Sequence, residues 1–172
     1  NEEKNGATLF AYPVSDPSRY GIINFDEETN KVLDIVEKPL TPMSNYAVTG
    51  LYFYDNKVIN YAERLTPSKR NELEITDINK TYLDASNLNV QILGTGIAWL
   101  DTGTFDSLQE AGTFIRTLER RQGLKIGSPE EAAWRNKFIS DNDLIKLAKE
   151  ISKSSYGSYL INLIKQKTPK LD

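Results

Sequence analysis

The sequence predicts an α/β chain: a mixed sheet over the first hundred residues, then a block of helices. Three observations predict it. Runs rich in Val, Ile, Tyr and Phe separated by short polar turns fill residues 7–54. From residue 57 the apolar period lengthens to three and four, the spacing of a helix. Beyond Thr104 the helical period dominates, so the chain divides into an α/β part over 1–103 and a helical part over 104–172. No glycine-rich strand-to-helix turn that could cradle a nucleotide phosphate opens the chain. The pattern reads as the later part of an α/β sheet whose opening strands lie elsewhere.

Ala7 to Val14 is a continuous apolar stretch of the kind a buried strand shows. Pro17 follows, then a strand at Gly21–Phe25 and the polar turn Asp26–Asn30. Lys31–Val36 is the hairpin partner. Pro39 and Pro42 break the pattern before a third β-rich run, Tyr46–Tyr54. Lys57–Leu65 predicts a short helix with Val58, Ile59, Ala62 and Leu65 as its apolar stripe. A second helix is expected from Asn71, with Glu74 three residues on as a capping-box variant and Ile75, Ile78 and Tyr82 at helical spacing. Asn89–Leu93 and Ile97–Leu100 read as strands joined in a tight hairpin by Gly94-Thr95-Gly96. Phe105, Leu108, Ala111, Ile115 and Leu118 then mark one face of a long helix, with Thr104 as its cap and Gly123 as its stop. Shorter helices are expected at Pro129–Phe138, Asp141–Ile151 and Tyr156–Ile164.

Composition narrows the chemistry. The 172 residues contain no cysteine, which removes disulfides, thiolate nucleophiles and Cys-based zinc sites. They contain no histidine either, so the commonest general base and transition-metal ligand is missing. Any reaction must run on carboxylates, lysine, arginine, backbone amides and a hard cation such as magnesium, which points to phosphate chemistry. A net charge of −3 and a pI near 5.2 argue against broad nucleic-acid binding. Lys165, Lys167 and Lys170 read as a solvated tail. No apolar run reaches the ~18 residues of a membrane span, and Asn1-Glu2-Glu3-Lys4 lacks the features of a secretory leader. Asn79-Lys80-Thr81 fits a glycosylation sequon by coincidence, inside a helical pattern.

Three constellations could carry function. Val36-Glu37-Lys38-Pro39 ends a strand, where a carboxylate can accept sugar hydroxyls while the ammonium meets a phosphate. From spacing alone a surface ion pair before a proline turn is the simpler reading. Lys69-Arg70-Asn71-Glu72-Leu73-Glu74-Ile75-Thr76-Asp77 places a guanidinium beside a helix N-terminus, which suits phosphate, but an amphipathic helix start with ordinary capping charges is the simpler reading of these residues alone. In Ala98-Trp99-Leu100-Asp101-Thr102-Gly103-Thr104 an aspartate follows a strand, where open α/β sheets place ligand groups. It can hold magnesium or cap the next helix, and the residues support the two equally.

Taken in order, Arg19-Tyr20-Gly21, Val36–Pro39, Ser44–Asp55, Glu72–Asp77 and Trp99–Thr104 make a chain that resembles the glucose-1-phosphate thymidylyltransferase family, from about Gly6 to about Leu163. The resemblance implies a nucleotidyltransferase-type, Rossmann-like mixed sheet with a C-terminal helical block. It implies attack by glucose-1-phosphate on the α-phosphorus of dTTP with release of pyrophosphate. It implies Tyr20, Gly21, Glu37, Val48 and Tyr52 as glucose contacts, Lys38 and Arg70 on the phosphate, Glu72 supporting them, and Asp101 as one of two aspartates on Mg²⁺. Lys38, Arg70 and Asp101 would be the catalytic set, with Glu131 and Arg135 regulatory. A cytoplasmic homotetramer serving dTDP-rhamnose synthesis is also implied. The family's glycine-rich loop and the partner of Asp101 do not occur here, so the chain is expected to need the N-terminal half of the enzyme and to be inactive alone. Thr95 stands where many members carry an arginine beside the regulatory site. The alternatives are a uridylyl- or adenylyltransferase for glucose-1-phosphate, and a non-catalytic oligomerisation fragment.

Overall fold

The computed structural model describes residues 5–26, 28–29 and 31–165. Glu27 and Asn30 of the expected polar turn, the opening Asn1–Lys4, and Lys167 and Lys170 of the expected tail lie outside these residues. The chain divides into two units, 1–99 and 100–172.

The first unit is a five-stranded mixed sheet: β1 (Ala7–Pro13), β2 (Gly21–Phe25), β3 (Val32–Glu37), β4 (Tyr46–Tyr54) and β5 (Leu88–Ile92), in spatial order β3-β2-β4-β1-β5. β1 runs antiparallel to β4 and parallel to β5, and β2 is antiparallel to both β3 and β4. The parallel pair requires a crossover. It contains α1 (Lys57–Ala62) and α2 (Ile75–Asp84), of which α2 packs on β3 and β5.

Leu9, Ala11, Ile23 and Ile35 form one buried cluster, and Ala7, Ile78 and Tyr82 a second beneath α2. β1 alternates buried and half-buried positions, so it is not buried on both faces as its apolar run suggests. Ala7, Leu9 and Ala11 face the core. Phe10 points the other way, edge-on to Phe53, which is 61% exposed. A buried alternate set is what one covered face requires.

Two further expectations are corrected. The second helix begins at Ile75, not Asn71. Asn71 takes a left-handed φ of 60°, and Glu74 is the N-cap without capping through its side chain. The reason lies in the loop before the helix: the Glu74 carboxylate accepts from Ser68 Oγ at 2.9 Å and lies 3.6 Å from Arg70. Ile97–Leu100 forms no strand and Gly94-Thr95-Gly96 no hairpin, because this segment finds no ladder partner among the described residues. Trp99 packs on the rings of Tyr12 and Tyr20 instead. Asn79, in the sequon, is fully buried, out of reach of any modifying enzyme.

The second unit is helical: α3 (Phe105–Gln122), α4 (Pro129–Arg135), α5 (Asp141–Glu150) and α6 (Ser155–Lys165). Thr104 caps α3 in a reciprocal box with Ser107, and Gly123 ends it at φ 71°. Ser140 and Asp143 make the same box for α5. Leu144, Ala148, Leu160 and Leu163 are the core. Gly157 lets α6 approach α5 closely, since a Cβ there would stand 2.4 Å from the Ile151 carbonyl oxygen. The α3 stripe is only partly used: Ala111 is buried, whereas Phe105 and Leu108 are exposed.

Candidate functional site

Sheet register builds the site. Gly21, at the start of β2, is the cross-strand partner of Glu37 at the end of β3. The ladder continues one step further, because the Lys38 amide donates to the Tyr20 carbonyl at 3.0 Å. Lys38 itself adopts φ 44°, uncommon for a residue with a side chain. It leaves the strand as an exposed cation next to the carboxylate.

Glu37 is held from α2. Thr76, buried in the first turn of that helix, donates from Oγ1 to Glu37 Oε2 at 2.6 Å. A Cβ on Gly21 would lie 3.1 Å from that same oxygen and 3.2 Å from Thr76 Oγ1, with Val48 next at 3.9 Å. Gly21 therefore keeps open the small space that these three side chains border. Tyr52 sits on β4, half-buried; burial and then the Glu37 charge push its phenol above the usual tyrosine range. It stacks on Tyr54, whose hydroxyl donates to Asn79 Oδ1 at 2.5 Å.

On the other side of Glu37 stands Arg70. Its Nη1 is 3.5 Å from Glu37 Oε1 and 3.6 Å from Glu74 Oε1, and its Nη2 is 2.5 Å from Glu72 Oε2. The loop beneath is tied by Ser68, whose amide donates to the Glu72 carbonyl at 2.8 Å and whose hydroxyl accepts from the Arg70 amide at 3.1 Å. One guanidinium among three carboxylates is a cation fixed in place, 39% exposed and facing outward. The chemistry offered is a carboxylate acceptor for hydroxyls beside donors for an anion.

A match to the nucleotidyl transferase family runs over residues 1–117. The chain belongs to that family. It is 54% identical over 163 residues to the glucose-1-phosphate thymidylyltransferase of Mycolicibacterium smegmatis, covering 95% of this chain and 56% of that protein. It is 51% identical over 164 residues to the enzyme of the same name from Neisseria meningitidis serogroup A, covering 95% and 57%. The chain thus spans little more than half the length of these relatives. A crystal structure from Bacillus anthracis assigned to the same enzyme and holding sucrose superposes with a TM-score of 0.60 at 41% identity, over 73% of this chain and 47% of that one. UDP-glucose pyrophosphorylase, at 24% identity and a TM-score of 0.54 over 65% and 44%, shares the fold.

Of the residues singled out in the sequence, Gly21, Glu37, Val48, Arg70 and Glu72 are joined by the contacts above, with Tyr52 in the electrostatic range of Glu37 and Lys38 next in the chain. Tyr20 precedes Gly21, its ring against Trp99 and under the Arg19 guanidinium. Asp101, Glu131 and Arg135 belong to the second unit. Asp101 folds its carboxylate toward Gly103, and Thr104, not Asp101, caps α3. Among the described residues no group of three or more acidic side chains is arranged to hold a metal ion. Arg135 Nε donates to Glu131 Oε1 at 2.7 Å, and Glu131 Oε2 accepts from Tyr159. The sequence reading gives Thr76 no site role and Glu74 only that of a helix cap. Thr76 lies 39 residues from its partner, and only the packing of α2 on β3 connects them.

Proposed function

We propose that this chain supplies the sugar-1-phosphate half of a thymidylyl transfer, in which glucose-1-phosphate and dTTP give dTDP-glucose and pyrophosphate. The observation that carries the reading is the cluster built on Glu37, with Gly21 opposite it across the ladder, Thr76 on its Oε2 and Arg70 3.5 Å from its Oε1. Glu37 accepts hydroxyl hydrogens of the pyranose, with Gly21, Val48, Tyr20 and Tyr52 shaping the space around the ring. Lys38 and Arg70 draw the phosphate, supported by Glu72. The nucleophile is a phosphate oxygen, already ionised, so a histidine-free chain needs no general base. That oxygen forms a bond to the α-phosphorus of dTTP as the bond to the β-phosphate oxygen breaks and pyrophosphate leaves. The contribution of this half is alignment plus positive charge on phosphate oxygens.

Asp101 would give magnesium one carboxylate oxygen. A hard cation of this kind wants several oxygen ligands, so the described residues do not make a magnesium site by themselves and no step is derived through the ion. The N-terminal half of the family's domain is the proposed partner. Phe10, Phe53 and Leu51, on the sheet face away from α2, give it apolar surface to cover. Phe105 at 94% and Leu108 at 55% exposure suit assembly into the proposed homotetramer. Glu131 and Arg135 remain the proposed regulatory pair, and a cytoplasmic role in deoxysugar supply fits a phosphorylated substrate.

The test is a pyrophosphate-release assay with dTTP, glucose-1-phosphate and Mg²⁺, run on this chain alone and mixed with the N-terminal half of one of its relatives. No turnover alone and turnover on mixing is the expected pair of results. Turnover from the chain alone contradicts the division of labour.

A further inference from the structure

We infer that Thr76 is a positioning residue whose hydroxyl holds Glu37 off Arg70, keeping the acceptor for the sugar and the donor for its phosphate available as separate groups. The inference deepens the proposed sugar-phosphate reading and rests on it for its binding consequence, though not for its structural one.

One guanidinium nitrogen and one hydroxyl compete for the Glu37 carboxylate. Oε2 is taken by Thr76 at 2.6 Å, a normal strong O–H···O⁻ bond. Oε1 is 3.5 Å from Arg70 Nη1, an ion pair at longer than hydrogen-bonding range. Arginine and carboxylate prefer a parallel two-bond fork, and nothing in their separation prevents it. The hydroxyl on Oε2 opposes it, together with Glu72, which holds Nη2 at 2.5 Å. Thr76 is itself fixed, because it is 4% exposed on a helix whose inner face is fastened twice more: Asn79 accepts from Tyr54, and Tyr82 donates to Asp55 at 2.7 Å. Gly21 adds that no side chain fills the gap on the strand side of Glu37.

Removing the hydroxyl leaves Oε2 without its donor, and the carboxylate turns toward Arg70. A Glu37–Arg70 fork would then consume the sugar's acceptor and one of the phosphate's donors together. Thr76→Val keeps the branched shape; Thr76→Ser keeps the hydroxyl. The experiment is a crystal structure of the Thr76→Val chain together with calorimetric titration of glucose-1-phosphate into the wild-type, Thr76→Val and Thr76→Ser chains. Thermal melts show that each is folded, and Thr76→Ala replaces the valine variant should it fail to fold. The expected result is a Glu37 carboxylate rotated onto Arg70 in the valine variant, affinity about tenfold weaker, and recovery to within about twofold in the serine variant. A carboxylate that stays in place overturns the inference, as does a valine variant that binds like wild type. Wild-type chain that binds no glucose-1-phosphate contradicts the sugar-phosphate reading instead, and the position of Glu37 in the valine variant still decides the role of Thr76.

Discussion

Gly21→Ala separates binding from stability. The added Cβ would stand 3.1 Å from Glu37 Oε2 and 3.2 Å from Thr76 Oγ1. Relaxed heavy-atom contacts begin near ~3.5 Å, so the two contacts must open by about 0.3–0.4 Å. Glu37 Oε2 ends a flexible side chain and can swing aside, whereas Thr76 is fixed, so most of the movement falls on the carboxylate and the backbone can stay as it is. Gly21 is already extended strand, where alanine removes ~0.5–1 kcal/mol of unfolded-chain entropy. That gain offsets most of the crowding, and a melting temperature close to wild type is expected. Binding has no such offset. The methyl occupies the space bordered by Glu37, Thr76 and Val48 and stretches the bond that orients the carboxylate. A loss of about tenfold in glucose-1-phosphate affinity follows, roughly the worth of one charge-assisted hydrogen bond. Calorimetric titration beside a thermal melt measures both. Unchanged affinity with unchanged stability would show that the sugar does not enter the space Gly21 keeps open.

Three other perturbations test the packing. Gly157→Ala drives a Cβ to 2.4 Å from the Ile151 carbonyl oxygen and 2.9 Å from that of Ala148, backbone atoms that cannot turn aside. A destabilisation of ~2 kcal/mol or more is expected, seen as faster amide hydrogen exchange in α5 and α6. Tyr54→Phe strips Asn79 Oδ1 of its donor in a residue whose Nδ2 already lacks a partner, and should cost ~1–3 kcal/mol in urea unfolding. Burial raises the phenols of Tyr54 and Tyr82 in the first unit, with Asp55 adding to the latter. In the second unit, burial and the carboxylates Glu130 and Glu131 raise those of Tyr156 and Tyr159. Unfolded tyrosine ionises near ~10, so the folded chain binds more protons above that pH. Stability from these groups is therefore complete below pH ~10 and declines as pH rises beyond it. Urea midpoints that stay flat from about pH 9 to 12 would contradict the burial of these rings.

Strands and caps were legible where the cause is local. Thr104 and Gly123 bound α3 because a hydroxyl at the N-cap and a glycine at the left-handed stop act on adjacent backbone. The hairpin partner of Gly21–Phe25 was legible from two strand-like runs on either side of one polar turn. Asn71 misled because Glu74, the residue expected to reach back as a cap, is drawn to Ser68 and Arg70 by the loop's own fold. Ile97–Leu100 misled because β propensity describes a residue's fit to a ladder and cannot supply the neighbouring strand. In the site, Glu37, Lys38 and Arg70 could be picked out as residue types suited to a sugar phosphate, but spacing alone left the bland readings ahead. What decided among them was distance across the fold: Gly21 opposite Glu37, and Thr76 of α2 bonded to Glu37 of β3.

The most direct test of the account is a crystal structure of this chain with glucose-1-phosphate. The account predicts the pyranose beside Gly21 with a hydroxyl donating to Glu37, and the phosphate on Lys38 and Arg70. Sugar phosphate bound elsewhere on the chain, with Glu37 and Arg70 untouched, would contradict it.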